Sequence, residues 1–233
     1  MTVYALGDYH GRSIQDFLDK ESPTSEDLIL STGDFDQVGV IQEFLNLKKE
    51  LGGESIVSVG GNHDHALLEK IPITSGMIES QSKHFHEMID ELHQEPEAMR
   101  YLEEIVGRPI KEFKAGELNG VLVHGGLAGH IQSPNITEEM RPFWYRLWED
   151  EDFEDNFDIM DEEGYDLLVR GHDHRMDHVL RRKNAHKPVY RSSLDESYEL
   201  DVDYNHLITH GSWHNGQYVA IDEDKLEIEF KNI

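Results

Sequence analysis

The chain has 233 residues, no cysteine, and 48 Asp plus Glu against 21 Lys plus Arg, a formal charge of -27. Without thiols there are no disulfides and no thiolate metal sites, so a bound metal must rest on His, Asp, Asn or Glu, donors that suit hard or borderline ions. So acidic a surface repels anionic membranes and disfavours a general nucleic-acid binder unless a local basic groove exists, and no apolar run approaches the ~20 residues a membrane helix needs.

Taken in order, Val3-Tyr4-Ala5-Leu6 reads as a short strand rather than a secretory leader, so a cytoplasmic protein is expected. The strand runs into Gly7-Asp8-Tyr9-His10-Gly11-Arg12, and Ile14, Phe17 and Leu18 then recur at helical spacing. After a turn at Ser22-Pro23-Thr24, Leu28-Ile29-Leu30 forms a second strand that leads to Gly33-Asp34-Phe35-Asp36. Val40, Ile41, Phe44, Leu45 and Leu47 mark an amphipathic helix stopped by Gly52-Gly53. A third strand, Ile56 to Val59, delivers Gly60-Gly61-Asn62-His63-Asp64-His65. This β-α-β-α-β run implies parallel strands, whose carboxyl ends are where ligands gather.

From Ser80 to Gly107 two helices are expected, one striped by Phe85, Met88, Ile89 and Leu92, the other by Met99, Leu102, Ile105 and Val106. They serve either as a cap near the site or as packing. Val121-Leu122-Val123 is a strand that delivers His124-Gly125-Gly126-Leu127. The acidic runs Glu149 to Asp155 and Asp161 to Glu163 read as solvated faces. Leu167 to Arg170 then runs into Gly171-His172-Asp173-His174, where an extended chain would put both imidazoles on one face. Pro188 to Tyr190, His206 to Thr209 and Gln217 to Ile221 read as strands, with Ser192 to Asp203 a polar loop or edge. Asn215-Gly216 signals a hairpin between the last two strands. Residues 1–233 are expected to form a single domain with a helical insertion at about 80–107.

Five strand ends thus supply Asp8, His10, Asp34, Asn62, His63, His124, His172 and His174. Singly, each has an ordinary reading: Asp8 and Asp34 as helix N-caps, Asn62 as a turn residue, His124 as a buried histidine. Together the blocks GDYHG, GDFD, GNHD, VHGG and GHDH resemble the signature of the calcineurin-like metallophosphoesterases, from Gly7 to His174.

That resemblance implies an α/β fold, a four-layer α/β/β/α sandwich of two mixed sheets with a dimetal site at one edge. It implies that Asp8, His10 and His174 hold one divalent ion and Asn62, His124 and His172 the other, with Asp34 bridging. A bridging carboxylate lets two cations sit ~3.5–4 Å apart and activate a hydroxide between them. His63 would contact phosphate and protonate, or help stabilise, the leaving oxygen. Manganese or iron suits these donors best, with zinc, nickel or magnesium also compatible.

The implied activity is hydrolysis of a phosphate ester: a phosphomonoester, a nucleotide polyphosphate or a phosphoprotein. The alternatives are a phosphodiesterase or nuclease, or a non-catalytic binding module that keeps the fold. Oligomeric state is not legible.

In the serine/threonine protein phosphatase branch the second block continues as GD-x-x-D-R-G, whose later Asp orients the catalytic histidine and whose Arg grips phosphate. Gln37 and Val38 stand there in this chain. Asp36 or Asp64 is left to orient His63, and Asp64 is taken as its catalytic partner. Arg12, Arg146 and Arg170, with Arg141, are the candidates for holding phosphate, because a guanidinium matches that oxyanion bidentately. The other histidines are assigned to surface or packing, with His210 and His214 nearest to being exceptions.

Overall fold

The computed structural model describes residues 1–69, 79–131, 136–185, 190–191 and 197–233. In chain order the elements are β1 (Thr2–Leu6), α1 (Gln15–Glu21), β2 (Leu28–Ser31), α2 (Val38–Leu51), β3 (Ile56–Ser58), α3 (Asn62–Leu67), α4 (Glu79–Leu92), α5 (Pro96–Val106), β4 (Ile110–Ala115) and β5 (Leu118–Val123). There follow α6 (Arg141–Trp144), α7 (Asp150–Glu163), β6 (Leu167–Arg170), β7 (Met176–Arg182), β8 (Tyr190–Arg191), β9 (Tyr198–Glu199), β10 (Tyr204–His210), β11 (Gln217–Asp222) and β12 (Glu227–Asn232). Of the expected strand Pro188 to Tyr190, only Tyr190 lies among the described residues, as do residues 197–203 of the expected loop Ser192 to Asp203.

The strands form two six-stranded mixed sheets, ordered β3-β2-β1-β11-β12-β9 and β4-β5-β6-β10-β7-β8. β1, β2 and β3 are parallel, as the β-α-β-α-β pattern requires, and β5, β6 and β10 make a second parallel trio. Alternation of side chains along these strands builds the layers. Val3, Ala5, Leu122, Val169 and Ile208 pack between the sheets. Their neighbours point outward: Tyr4 and Leu6 pack with Phe17 of α1 and Phe44 of α2, while Val121, Val123 and Leu168 pack with Phe153 and Phe157 of α7. The result is the expected four-layer α/β/β/α sandwich. Among the described residues no helix is long and apolar enough to cross a membrane.

The two helices expected between Ser80 and Gly107 are α4 and α5. Phe85, Met88 and Ile89 of α4 and Leu102, Ile105 and Val106 of α5 are buried in the outer-layer core, so both helices pack. α4 also reaches the site, since Phe85 lies edge-on to the His63 ring with centroids 5.4 Å apart. The acidic run at α7 is only partly a solvated face. Asp152 accepts the N–H groups of Trp148 and Glu149 at 2.8 and 3.0 Å, and Asp158 and Asp161 pair with the buried Arg181 at 2.6 and 2.8 Å.

Asn215-Gly216 does not close a hairpin between β10 and β11, because those strands lie in different sheets. The segment between them crosses from one sheet to the other. Trp213 and His214 donate backbone N–H groups to the carbonyls of Gly7 and Asp8 at 2.8 and 3.1 Å, and the Trp213 indole N–H donates to the Ser13 carbonyl at 2.9 Å. These contacts outweigh the local turn preference. Gly216, at φ 79°, ends a single helical turn, and the hairpin is made instead by β11 with β12.

A buried imidazole pair gives this sandwich a pH-dependent stability. His178 of β7 and His206 of β10 face each other at 3.0 Å, Nε2 to Nδ1, and both are buried. Burial, with His206 alongside, pushes the His178 pKa down to about 3. The unfolded chain therefore binds this proton below pH ~6.5 while the native state does not, and native stability falls as pH falls. Between pH 7.5 and 5.5 this one group should contribute a loss of about 1.4 kcal/mol. Urea titrations at the two pH values should show a correspondingly smaller difference in His178→Phe.

Candidate metal centre

The two parallel trios point their carboxyl ends at one place. Asp8 and His10 follow β1, Asp34 and Asp36 follow β2, Asn62 and His63 open α3, His124 follows β5, and His172 and His174 follow β6. Asp8, His10, Asp34, Asp36, His172 and His174 have φ of 53°, 44°, 62°, 56°, 69° and 52°. Each such residue costs roughly 1 kcal/mol or more, and clustered strain of this kind marks functional sites. Asp8 and Asp34 are therefore not helix caps: α1 and α2 are capped at Ile14 and Gln37. The glycines of the blocks make room. At Gly33, φ 83°, a Cβ would stand 2.5 Å from the Asp64 carboxylate, and at Gly171 one would stand 2.6 Å from the Thr32 hydroxyl.

The donors converge in two groups. In the first, His10 Nε2 and His174 Nε2 are 3.0 Å apart, and His174 Nε2 is 3.3 Å from Asp8 Oδ1. In the second, His124 Nε2 is 3.0 Å from Asn62 Oδ1, 3.1 Å from His172 Nδ1 and 3.5 Å from Asp34 Oδ2. Metal–ligand bonds of about 2.0–2.2 Å place neighbouring donors roughly 3 Å apart. Asp34 lies between the groups, with Asp8 and His124 within 4.8 Å. His172 and His174 thus do not converge on one point as an extended chain would make them. Their left-handed backbones send one to each group.

Second contacts fix the ring nitrogens. His124 Nδ1–H donates to the Thr32 carbonyl at 2.6 Å, which leaves the Nε2 lone pair facing Asn62 Oδ1. A lone pair on Nε2 and the Asn62 oxygen, 3.0 Å apart, are the spacing of two donors to one cation, so the residues present fit a metal. Burial, together with His124 and Arg146, holds the His172 imidazole pKa well below its usual value, leaving a neutral ligand. His172 Nε2 is buried without a hydrogen-bond partner among the described residues.

Asp36 is the hub of the remaining hydrogen bonds. Its carboxylate accepts from His10 Nδ1 at 2.7 Å and from His63 Nδ1 at 2.8 Å. Burial works against its charge, but the His63 and His10 rings hold its pKa well below the usual carboxylate range. Burial likewise opposes a charge on His63, and Asp34 and Asp36 overcome it to push that pKa up to about 10. Asp64, taken from the sequence as the partner of His63, does not fill that role. Its carboxylate accepts the backbone N–H groups of Asp34, Phe35 and Gly61 at 2.8, 3.1 and 2.8 Å. Burial and the Asp34 charge push its pKa up to about 7.

The arginines divide. Arg146 is 35% exposed and its Nη1 lies 3.2 Å from Asp173, between the two GHDH histidines. Arg12 is committed to the crossing segment: it donates to the Trp213 and His214 carbonyls at 3.3 Å and stacks on Trp213. Arg141 lies 4.0 Å from Glu138. Arg170 is wholly buried, pairs with Asp173 at 2.7 Å and donates to the carbonyls of Gly125 and Tyr145, so its guanidinium is closed off from phosphate. Arg170→Met should therefore cost about 3 kcal/mol of stability, because it removes the nearer of the two guanidiniums on the buried Asp173 and leaves Arg146 Nη1 at 3.2 Å. Chemical denaturation would register it, and an Arg170→Lys protein with full stability would contradict the assignment.

Sequence reasoning missed Thr32 and Asp173 as supports and left His210 among the packing histidines, though nearest to an exception. His210 Nε2 and the Thr32 hydroxyl are 2.8 Å apart, and burial pushes the His210 pKa down to about 4. The signal was available: Ile208-Thr209-His210-Gly211 repeats the strand, histidine, glycine order of Val123-His124-Gly125.

Residues 1–176 match the family model described as calcineurin-like phosphoesterase. No curated protein matches the chain by sequence. A solved metallophosphoesterase from Sphaerobacter thermophilus is similar over 100% of this chain and 88% of its own, with 17% identity and a TM-score of 0.67. A hypothetical protein from Pyrococcus horikoshii OT3 is similar over 100% and 87%, with 13% identity and a TM-score of 0.67. At such identities the two structures share the fold with this chain. With three-quarters of its length matched by that model and its donors gathered at the strand ends, the chain belongs to the calcineurin-like phosphoesterase family.

Proposed function

We propose that this protein is a binuclear metal-dependent phosphatase acting on phosphate monoesters. Asp8, His10 and His174 would hold one ion and Asn62, His124 and His172 the other, with Asp34 placed between the two groups. A pair of divalent ions there supplies charge neutralisation for the phosphoryl oxygens and a water-derived nucleophile at neutral pH. Manganese or iron suits the donors best. The observation that carries the reading is the convergence of donors at about 3 Å, with His124 Nε2 turned by the Thr32 carbonyl toward Asn62 Oδ1 and His172 Nδ1, and His10 Nε2 toward His174 Nε2.

The chain's own residues do the rest. His63 is oriented through Nδ1 by Asp36, which leaves Nε2 as the atom that gives a proton to the leaving oxygen. Arg146 offers a guanidinium for a phosphoryl oxygen beside His172. The charge of -27 disfavours polyanionic substrates such as nucleic acid and favours a small phosphate ester. The test is a panel of chromogenic mono- and diesters after chelation and after manganese is restored. Monoester turnover should vanish with the chelator and return with manganese; hydrolysis that resists the chelator would overturn the reading.

A further inference from the structure

Arg146, His130 and Trp148 share one face of a short ribbon beside the metal centre. His130 and Arg146 exchange both backbone hydrogen bonds, at 2.9 and 3.0 Å, in an isolated antiparallel bridge. Residues so opposed project to the same side. Trp148 lies two residues on, and Leu147 between them is buried in the core with Phe153 and Phe157 of α7, so alternation returns Trp148 to the Arg146 side. The His130 ring stacks on the Trp148 indole, with centroids 6.2 Å apart and planes 26° apart. At 47%, Trp148 is the most exposed large hydrophobic side chain among the described residues.

The ribbon is bolted to the metal-ligand loop. Asp173, between His172 and His174, accepts from Arg146 Nη1 at 3.2 Å and from the Leu147 N–H at 3.3 Å. Arg175 donates to the Leu147 carbonyl at 2.7 Å. An exposed, stacked aromatic pair is thereby fixed at a set distance from the centre.

We infer that His130 and Trp148 form a stacking ledge for the base of a nucleoside phosphate whose phosphoryl group lies at the metal centre beside Arg146. This rests on the phosphatase reading and names its substrate class. Trp148 stands two residues beyond Arg146, an offset of up to about 7 Å along the chain, which suits a ring separated from phosphate by a sugar better than one bonded directly to it. Stacking tolerates any base, and it supplies attraction that the acidic surface denies to an anionic ligand.

The manganese-loaded protein should be compared on adenosine 5'-monophosphate, phenyl phosphate and glycerol 2-phosphate. W148A should lower the preference, as kcat/KM, for the nucleotide over glycerol 2-phosphate about tenfold, and W148F should restore most of it. Phenyl phosphate should follow glycerol 2-phosphate; if it follows the nucleotide, the sugar-spaced assignment is wrong. A preference unchanged in both W148A and H130A overturns the ledge. Tryptophan fluorescence decides the matter independently of turnover. Saturable quenching by the nucleotide that is absent from W148A supports the ledge even if no ester is hydrolysed, which would sink only the phosphatase reading; no quenching of the wild-type protein rejects the ledge.

Discussion

Asp36→Asn is expected to lower turnover by about 10²–10⁴-fold and to move the alkaline limb of the kcat profile to lower pH. The carboxylate accepts from His10 Nδ1 and His63 Nδ1 at once. Both bonds end on Oδ2, and Oδ1 stands 2.9 Å from His63 Nδ1, so a carboxamide sets its amino group against His63 alone or against both rings and forces the proton of a ring it faces onto Nε2. With the amino group at the Oδ2 position the His10 proton would occupy the nitrogen that faces His174, a change of the kind that weakens metal binding by about 10–100-fold. At His63 the substitution would remove one of the three carboxylate charges, Asp34, Asp36 and Asp64, that lift the pKa to about 10. With cations on Asp34, Asp36 would be the main source of that lift. A general acid must be protonated to work, so a lower pKa ends activity at a lower pH. A rate within threefold of wild type, with an unmoved pH profile, would remove Asp36 from the mechanism.

Asp34→Asn is expected to cost on the order of a thousandfold in rate and to lower the bound metal from about two ions per chain toward one. The substitution should be tolerated by the fold. The loop is held by main-chain groups, with the Asp34 and Phe35 N–H groups donating to Asp64. The His63 N–H bond to Asp34 Oδ1, 2.9 Å, needs only an oxygen acceptor, which asparagine keeps. Metal analysis of dialysed protein beside a melting curve separates lost ligation from lost structure. Unchanged stoichiometry with near wild-type turnover would defeat the two-ion assignment.

The strand-to-glycine blocks were legible in the sequence because each couples a local signal, a short apolar run, to a residue that only a tight turn accommodates. The layering was legible for a similar reason, since alternation within β1 or β6 assigns each side chain to a face. What was not legible depends on backbone angles beyond the strand ends. Asp34 and Asp36 stand two apart, but with both in the left-handed region one turns to the centre and the other to the two imidazoles. The role given to Asp64 failed because its neighbours in space, the N–H groups at Asp34 and Phe35, come from another loop. Arg170 looked available for phosphate because it ends a strand near the blocks, and only the packed fold reveals that its guanidinium is enclosed and paired with Asp173. The Asn215-Gly216 turn was recognised, but its partner strands were not, since sheet membership is settled by contacts with Gly7 and Asp8 far along the chain.

The donors come from both halves of the sandwich: Asp8, His10, Asp34 and Asn62 follow strands of one sheet, and His124, His172 and His174 follow strands of the other. Each ion would accordingly be gripped from both halves and act as a clasp across the seam. Starving the protein of metal would then loosen the edge where the sheets meet as well as silence the chemistry, and durability and catalysis would draw on the same supply of cations.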